Sequence, residues 1–145
     1  MNIHKPFFLL VNLLWLFLLP GCESNYISSP EDCLNYDYTD CNTSEPSVVP
    51  LHIKLSINSE NPVVPITIFR GKLENNNIIL SDTVNSSSCT FWVAPDNYYT
   101  VEARYRSGNN MIYAYDGDNV KKIRNQVCDS VCWTYQEGNV NVELR

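Results

Sequence analysis

The side chains that could do chemistry in this 145-residue chain are few and far apart. Beyond His4 near the start, the one histidine is His52, and a Ser-His-Asp or Cys-His hydrolytic centre would need it as its base. It stands on the polar phase of an alternating stretch with no G-x-S-x-G elbow in the chain, so a solvated strand residue is its ordinary role. Asp116 and Asp118, in Tyr-Asp-Gly-Asp-Asn, are the notable carboxylate pair. Paired carboxylates can share acid and base work or hold calcium, yet beside a glycine they read first as a turn stabilised by Asp side chains. Cys128 and Cys132 have three residues between them, one more than a thioredoxin-like pair, and no histidine or further nearby cysteine completes a zinc tetrad. No glycine-rich phosphate loop is present, and Lys121-Lys122-Ile123-Arg124 is too short for a nucleic-acid patch. The expectation is therefore a protein that is not an enzyme, with no cofactor, no metal and no nucleic-acid partner.

The elements around these residues say more. Phe7 to Leu19 is apolar and ends in Leu18-Leu19-Pro20-Gly21-Cys22, with Lys5 before it. Thirteen residues with Asn12 inside fall short of the roughly 20 that span a bilayer. The stretch resembles a bacterial lipoprotein signal, which implies cleavage after Gly21 and acylation of Cys22. The two or three chains of such an anchor hold firmly where one would not, each buried CH₂ contributing about 0.8 kcal/mol. Residues 1–21 are thus expected to be a signal peptide, and the lipid bilayer is the first expected partner, through Cys22.

Charge marks the next boundary. The whole chain carries −6, and Glu23–Val48 holds six of the sixteen acids with no Lys or Arg, whereas Val49 to Arg145 is nearly neutral. Residues 22–48, rich in Ser, Asn, Asp and Pro and without apolar periodicity, read as a disordered, acidic tether. As a coil, the stretch from Glu23 to Val48 would span roughly 28 Å, with a stretched limit near 90 Å. An acidic stretch after the lipidated cysteine also resembles the surface-export signals of lipoproteins from Bacteroides and its relatives. This implies an outer-membrane lipoprotein that is surface-exposed or periplasm-facing.

From Val49 onward the apolar period is two, the mark of half-buried strands. Leu51, Ile53, Leu55 and Ile57 alternate with His52, Lys54 and Ser56; Cys89, Phe91 and Val93 alternate with Thr90 and Trp92. Tyr99, Val101, Ala103 and Tyr105 oppose Thr100, Glu102 and Arg104, and Val140, Val142 and Leu144 oppose Asn141 and Glu143. Further strands are expected at Val64–Phe69, Asn77–Val84 and Asn110–Tyr115, with turns at Gly71, Asp96-Asn97, Gly108-Asn109, Asp116-Gly117 and Glu137-Gly138. The fold class is all-β, an antiparallel seven-stranded β-sandwich over 49–145.

The order "PVVPITIFRGK", "NIILSDTV", "FWVAPDNYYTVEARY" and a closing "NVNVELR" is similar to the small sandwich modules called carboxypeptidase-regulatory-like, Cna-B or prealbumin-like. An Ala-Pro-Asp-Asn turn stands where those modules usually have Pro-Gly. The whole chain resembles an uncharacterised Bacteroidetes-type lipoprotein. Such modules serve elsewhere as stalks, spacers and adhesin parts, so the resemblance implies scaffolding more than chemistry.

Once Cys22 is acylated, five cysteines remain. Cys89, in phase with Phe91 and Val93 on the dry face, is expected to be the free thiol, a small buried hydrophobe. Cys33, Cys41, Cys128 and Cys132 are expected to form disulfides. Ease of closure favours Cys33–Cys41 and Cys128–Cys132, while loop entropy, about 2.6 and 2.1 kcal/mol for these against about 4.7 for a bridge such as Cys33–Cys128, favours the long one. The local pairs are the expected set.

Trp92, Tyr98, Trp133 and Tyr135 fall opposite the inferred core or in turns and are candidates for stacking on a sugar or protein ligand. Asp82-Thr83-Val84 and Asp129-Ser130-Val131 resemble the O-glycosylation triplet of exported Bacteroidetes proteins, which implies sugars on Thr83 and Ser130. The expected function is a lipid-anchored structural or interaction module with a protein or glycan ligand. A small secreted hydrolase, or an inhibitor of one, is the alternative, favoured by two close carboxylates in a pocket or by His52 turned inward beside an acid.

Overall fold

The computed structural model describes residues 33–144. The expected signal peptide, the expected acylation site Cys22 and the beginning of the expected tether lie outside the described residues. Among the described residues eight strands follow one another: β1 (Val49–Lys54), β2 (Val64–Arg70), β3 (Ile78–Val84), β4 (Ser88–Val93), β5 (Asn97–Ser107), β6 (Asn110–Val127), β7 (Ser130–Gln136) and β8 (Gly138–Asn141). They form a three-stranded sheet ordered β4-β1-β8 and a five-stranded sheet ordered β3-β2-β5-β6-β7. The architecture is all-β, two sheets enclosing one core. No helix among the described residues is long and apolar enough to cross a membrane.

Alternation builds that core. The register sets Val49 against Val93, Leu51 against Phe91 and Ile53 against Cys89, so the inward phase of β1 meets the inward phase of β4. Across the gap, β2 supplies Val64, Ile66 and Ile68, β5 supplies Tyr99, Val101, Ala103 and Tyr105, and Val120, Val140 and Val142 complete the cluster. Two large side chains in it are tyrosines, and burial obliges their hydroxyls to find partners. Tyr105 donates to the Val142 carbonyl at 2.9 Å and accepts from the Ser56 N–H, while Tyr99 donates to the Ala94 carbonyl at 2.8 Å.

Three features depart from the sequence reading. First, the strands number eight rather than seven, because the segment expected to end at Tyr115 runs on to Val127 and is answered by β7. Asp116-Gly117 is not a turn: Thr100 pairs with Gly117 and Val101 with Asp116 inside the β5–β6 ladder. The glycine is there for space, since a Cβ at Gly117 would lie 2.5 Å from the Tyr98 hydroxyl and 2.6 Å from the Tyr99 carbonyl. The reversal falls instead at Cys128-Asp129, where Cys128 takes a left-handed φ of 52°. Second, the sandwich is not wholly antiparallel, because β8 joins β1 in parallel, with Leu51 beside Gly138 and Ile53 beside Val140. Third, the compact unit begins at Asn35, well before Val49.

Candidate functional site

The segment read as a free tether is fastened to β7. Cys41 is bonded to Cys132, with Cα atoms 4.9 Å apart and 91 residues between them in sequence. Next to the bridge, the Trp133 N–H donates to the Asn42 carbonyl at 2.7 Å. Lys122 pairs with Glu45 and lies 3.6 Å from Asp96, its ammonium 5.9 Å from the centre of the Trp133 ring. Glu45 above all, with Asp96, raises the Lys122 ammonium above its usual range. Cys33 and Cys128 are disulfide-bonded as well. The bond from Cys41 to Cys132 overturns both local pairs, Cys33–Cys41 and Cys128–Cys132. The hairpin explains the second failure: Cys128 occupies the turn and Cys132 lies three strand residues beyond Asp129, roughly 10 Å further along, too far for a bridge. Loop entropy, about 4.6 kcal/mol for the loop closed here, outweighs ease of closure.

On the outer face of the three-stranded sheet, His52 stands between a hydroxyl and a carboxylate. Its Nδ1 is 2.9 Å from Thr90 Oγ1 and its Nε2 is 2.9 Å from Glu137 Oε2. These are ingredients of a base held by an acid, but the line lies flat on the sheet. The His52 and Glu137 side chains are 41% and 44% exposed, and the adjoining hollow, bordered by Lys54, Asn139 and Asn141, holds about 120 Å³. The polar groups here satisfy one another in water. Trp92, on the same face, is 64% exposed.

Asp116 and Asp118 do not make a catalytic pair in a pocket. Asp118 Oδ2 accepts from the Asn139 N–H at 2.9 Å and Asp116 Oδ2 from the Asn141 N–H at 2.7 Å. Two carboxylates of β6 thereby close the open edge of β8, whose donors would otherwise invite another strand. Among the described residues no group of three or more His, Cys, Asp or Glu side chains is placed to hold a metal ion.

The outer face of the five-stranded sheet is different in kind. Along β5 it presents Tyr98, Thr100, Glu102, Arg104 and Arg106, and the register sets these against Asn119, Gly117, Tyr115, Tyr113 and Met111 of β6. The Tyr98 ring lies over Gly117. Tyr113 and Tyr115 hold their rings parallel, centres 6.5 Å apart and planes within 9°, and each is about half exposed. Partial desolvation, followed by the neighbouring Glu102, raises the Tyr115 phenol above its usual range. Beyond Tyr113 an open hollow of about 600 Å³ is bordered by Pro62, Val63, Pro65, Arg104, Arg106 and Met111.

The four aromatic residues singled out in the sequence are therefore not one platform. Trp92 is on the smaller sheet, Tyr98 on the outer face of the larger one, and Trp133 and Tyr135 on the β6–β7 ribbon, opposite Arg124 and Lys122. The pair that does come together is Tyr113 and Tyr115, which the sequence presents as ordinary strand residues. Its signal was the period-two string Tyr113-x-Tyr115-x-Gly117, where the glycine leaves room for a third ring. Thr83 is exposed on β3 and its N–H is taken by Asp82, while Ser130 is half-buried at the start of β7. Cys89 carries a free thiol at the half-open end of the core, and burial, then Asp82, pushes its pKa up. No protein-family model, curated protein or solved structure matches the chain.

Proposed function

We propose that the protein is a lipid-anchored cell-envelope β-sandwich, of the carboxypeptidase-regulatory-like, Cna-B or prealbumin-like kind. It is held to the outer membrane through acylated Cys22 and serves as a structural or interaction module for a protein or glycan ligand rather than as an enzyme. The observation that carries the binding role is the uncovered aromatic surface on the outer sheet faces, Tyr113 and Tyr115 on one and Trp92 on the other. Export is supported by the Cys41–Cys132 disulfide, since such bonds persist in oxidising compartments. The module reading is tested by placing a benzophenone side chain at position 113 or 92 in producing cells. Light-dependent adducts with another macromolecule are expected, and their absence at both positions would sink it. Anchoring is tested by the mass of the mature N-terminus with and without a lipoprotein signal peptidase inhibitor, where an unacylated Cys22 refutes it.

The hydrolase or inhibitor alternative draws on the Thr90–His52–Glu137 line, whose histidine faces outward. Ester or glycoside turnover abolished by His52→Ala would establish it. Exposure of Thr83 supports the glycan assignment there more than half-burial supports it at Ser130, and peptide masses from the native host decide both.

A further inference from the structure

The hollow beside Tyr113 has a surplus of donors. Asn61 is buried at its floor and fully engaged: its Oδ1 accepts from the Arg106 N–H at 2.7 Å and its Nδ2 donates to the Arg106 carbonyl at 3.0 Å. Glu60, the acid on the rim, is bound to the Gly108 N–H. Glu102 balances Arg104, but at 3.6 Å from its Nε the two form an ion pair and not a hydrogen bond, and that Nε is shut off from solvent with no hydrogen-bond partner among the described residues. The Arg106 guanidinium has no side-chain partner among the described residues. Glu60 and Glu102 are thus engaged, while Arg106 offers its N–H groups into the hollow and Arg104, its Nε buried, borders the same space with the rest of its half-exposed side chain, an arrangement that takes a carboxylate.

The other half of the face is apolar and ring-shaped. Tyr113 stands directly across from Arg104, and Met111 across from Arg106, so the parallel tyrosine rings lie on the same sheet face as the hollow and next to it in register. A ligand that fits both halves carries flat C–H faces to lie on the rings, hydroxyls to meet the phenols, and a carboxylate for the arginines. We propose that this face binds a carboxylated saccharide chain, its sugar rings against Tyr113 and Tyr115 and a carboxylate at Arg104 and Arg106. The proposal rests on the reading of the protein as an interaction module.

The test is calorimetric titration of the full chain with oligogalacturonate and oligoalginate, with neutral maltohexaose and a polyglutamate of equal charge as comparators. The uronates are expected to bind with Kd below about 1 mM, more weakly as salt rises. Tyr113→Ala combined with Tyr115→Ala, and separately Arg106→Ala, should each weaken them about tenfold or more. Native-like circular dichroism and unchanged thermal unfolding are required of each variant, which guards against one that only unfolds. Equal binding of maltohexaose overturns the role of the arginines, and equal binding of polyglutamate makes the site one for acidic peptides and overturns the sugar. Binding untouched by the variants, or no binding of either uronate, overturns the site altogether. If neither uronate binds while position 113 still cross-links in cells, this inference falls and the module reading stands.

Discussion

The two outer faces of the sandwich use similar residue types to opposite ends. On the smaller sheet His52, Thr90 and Glu137 hold one another. On the larger sheet Glu60 and Glu102 are engaged while the Arg106 guanidinium has no side-chain partner among the described residues, beside two uncovered rings. The lesson is that an inventory of suggestive side chains does not find a site. His52 with an acid and a hydroxyl looks like chemistry and is a closed set, whereas the ordinary-looking Tyr-x-Tyr strand is the open one.

The comparison is broken most severely through the core both faces share. Tyr105→Ala removes a fully buried ring whose hydroxyl links Val142 and Ser56, and should cost about 3–5 kcal/mol in a denaturant titration, loosening both faces alike. Replacing Cys41 and Cys132 together by Ser should cost about 2–4 kcal/mol, with enhanced hydrogen exchange confined to β7 and the adjoining half of β6. Gly117→Ala drives a methyl into Tyr98 and the Tyr99 carbonyl, so a loss of about 1–3 kcal/mol is expected, with amide shifts on the tyrosine face and none at His52. By contrast His52→Ala, breaking an exposed pair, should change stability by less than about 1 kcal/mol. A larger loss would show that the smaller face is more than a solvated surface.

The finest distinction is alkaline. Burial holds Cys89 and Tyr105 neutral, their pKa values raised above the ordinary 9.0 and 10.0. Since the unfolded chain releases these protons first, the contribution is fully present below pH 9 and stability declines as pH climbs past the unfolded values towards the folded ones. Native Cys89 should alkylate more slowly than the same thiol in denaturant, and Asp82→Asn, removing a nearby negative charge, should speed the native reaction modestly. An unchanged rate would show that burial alone governs it.

What was legible in the sequence is what alternation controls. The inward phases of β1, β4, β5 and β8 could be read residue by residue because each strand buries one side, and a period of two leaves no other assignment. The length of β6 could not, because Asp-Gly is ordinarily a turn signal and only the ring of Tyr98, a neighbour in space, explains a glycine in mid-strand. The parallel strand β8 and the Cys41–Cys132 bond share that difficulty, being contacts between distant parts of the chain for which local spacing holds no record. The tyrosine pair was written in period-two form, yet nothing in the residues themselves marks which aromatic side chains a fold leaves uncovered.

One bond also decides how the protein bears a load. With Cys41 joined to Cys132, a pull applied at Cys41 reaches β7 directly and bypasses everything between. The enclosed stretch holds β1 to β6 and cannot be drawn out while the bond is intact, which withholds about 320 Å of contour from extension. With the disulfides intact the enclosed stretch would resist being drawn out; only when this bridge and the disulfide bonds of Cys33 and Cys128 are reduced would it be free to lengthen.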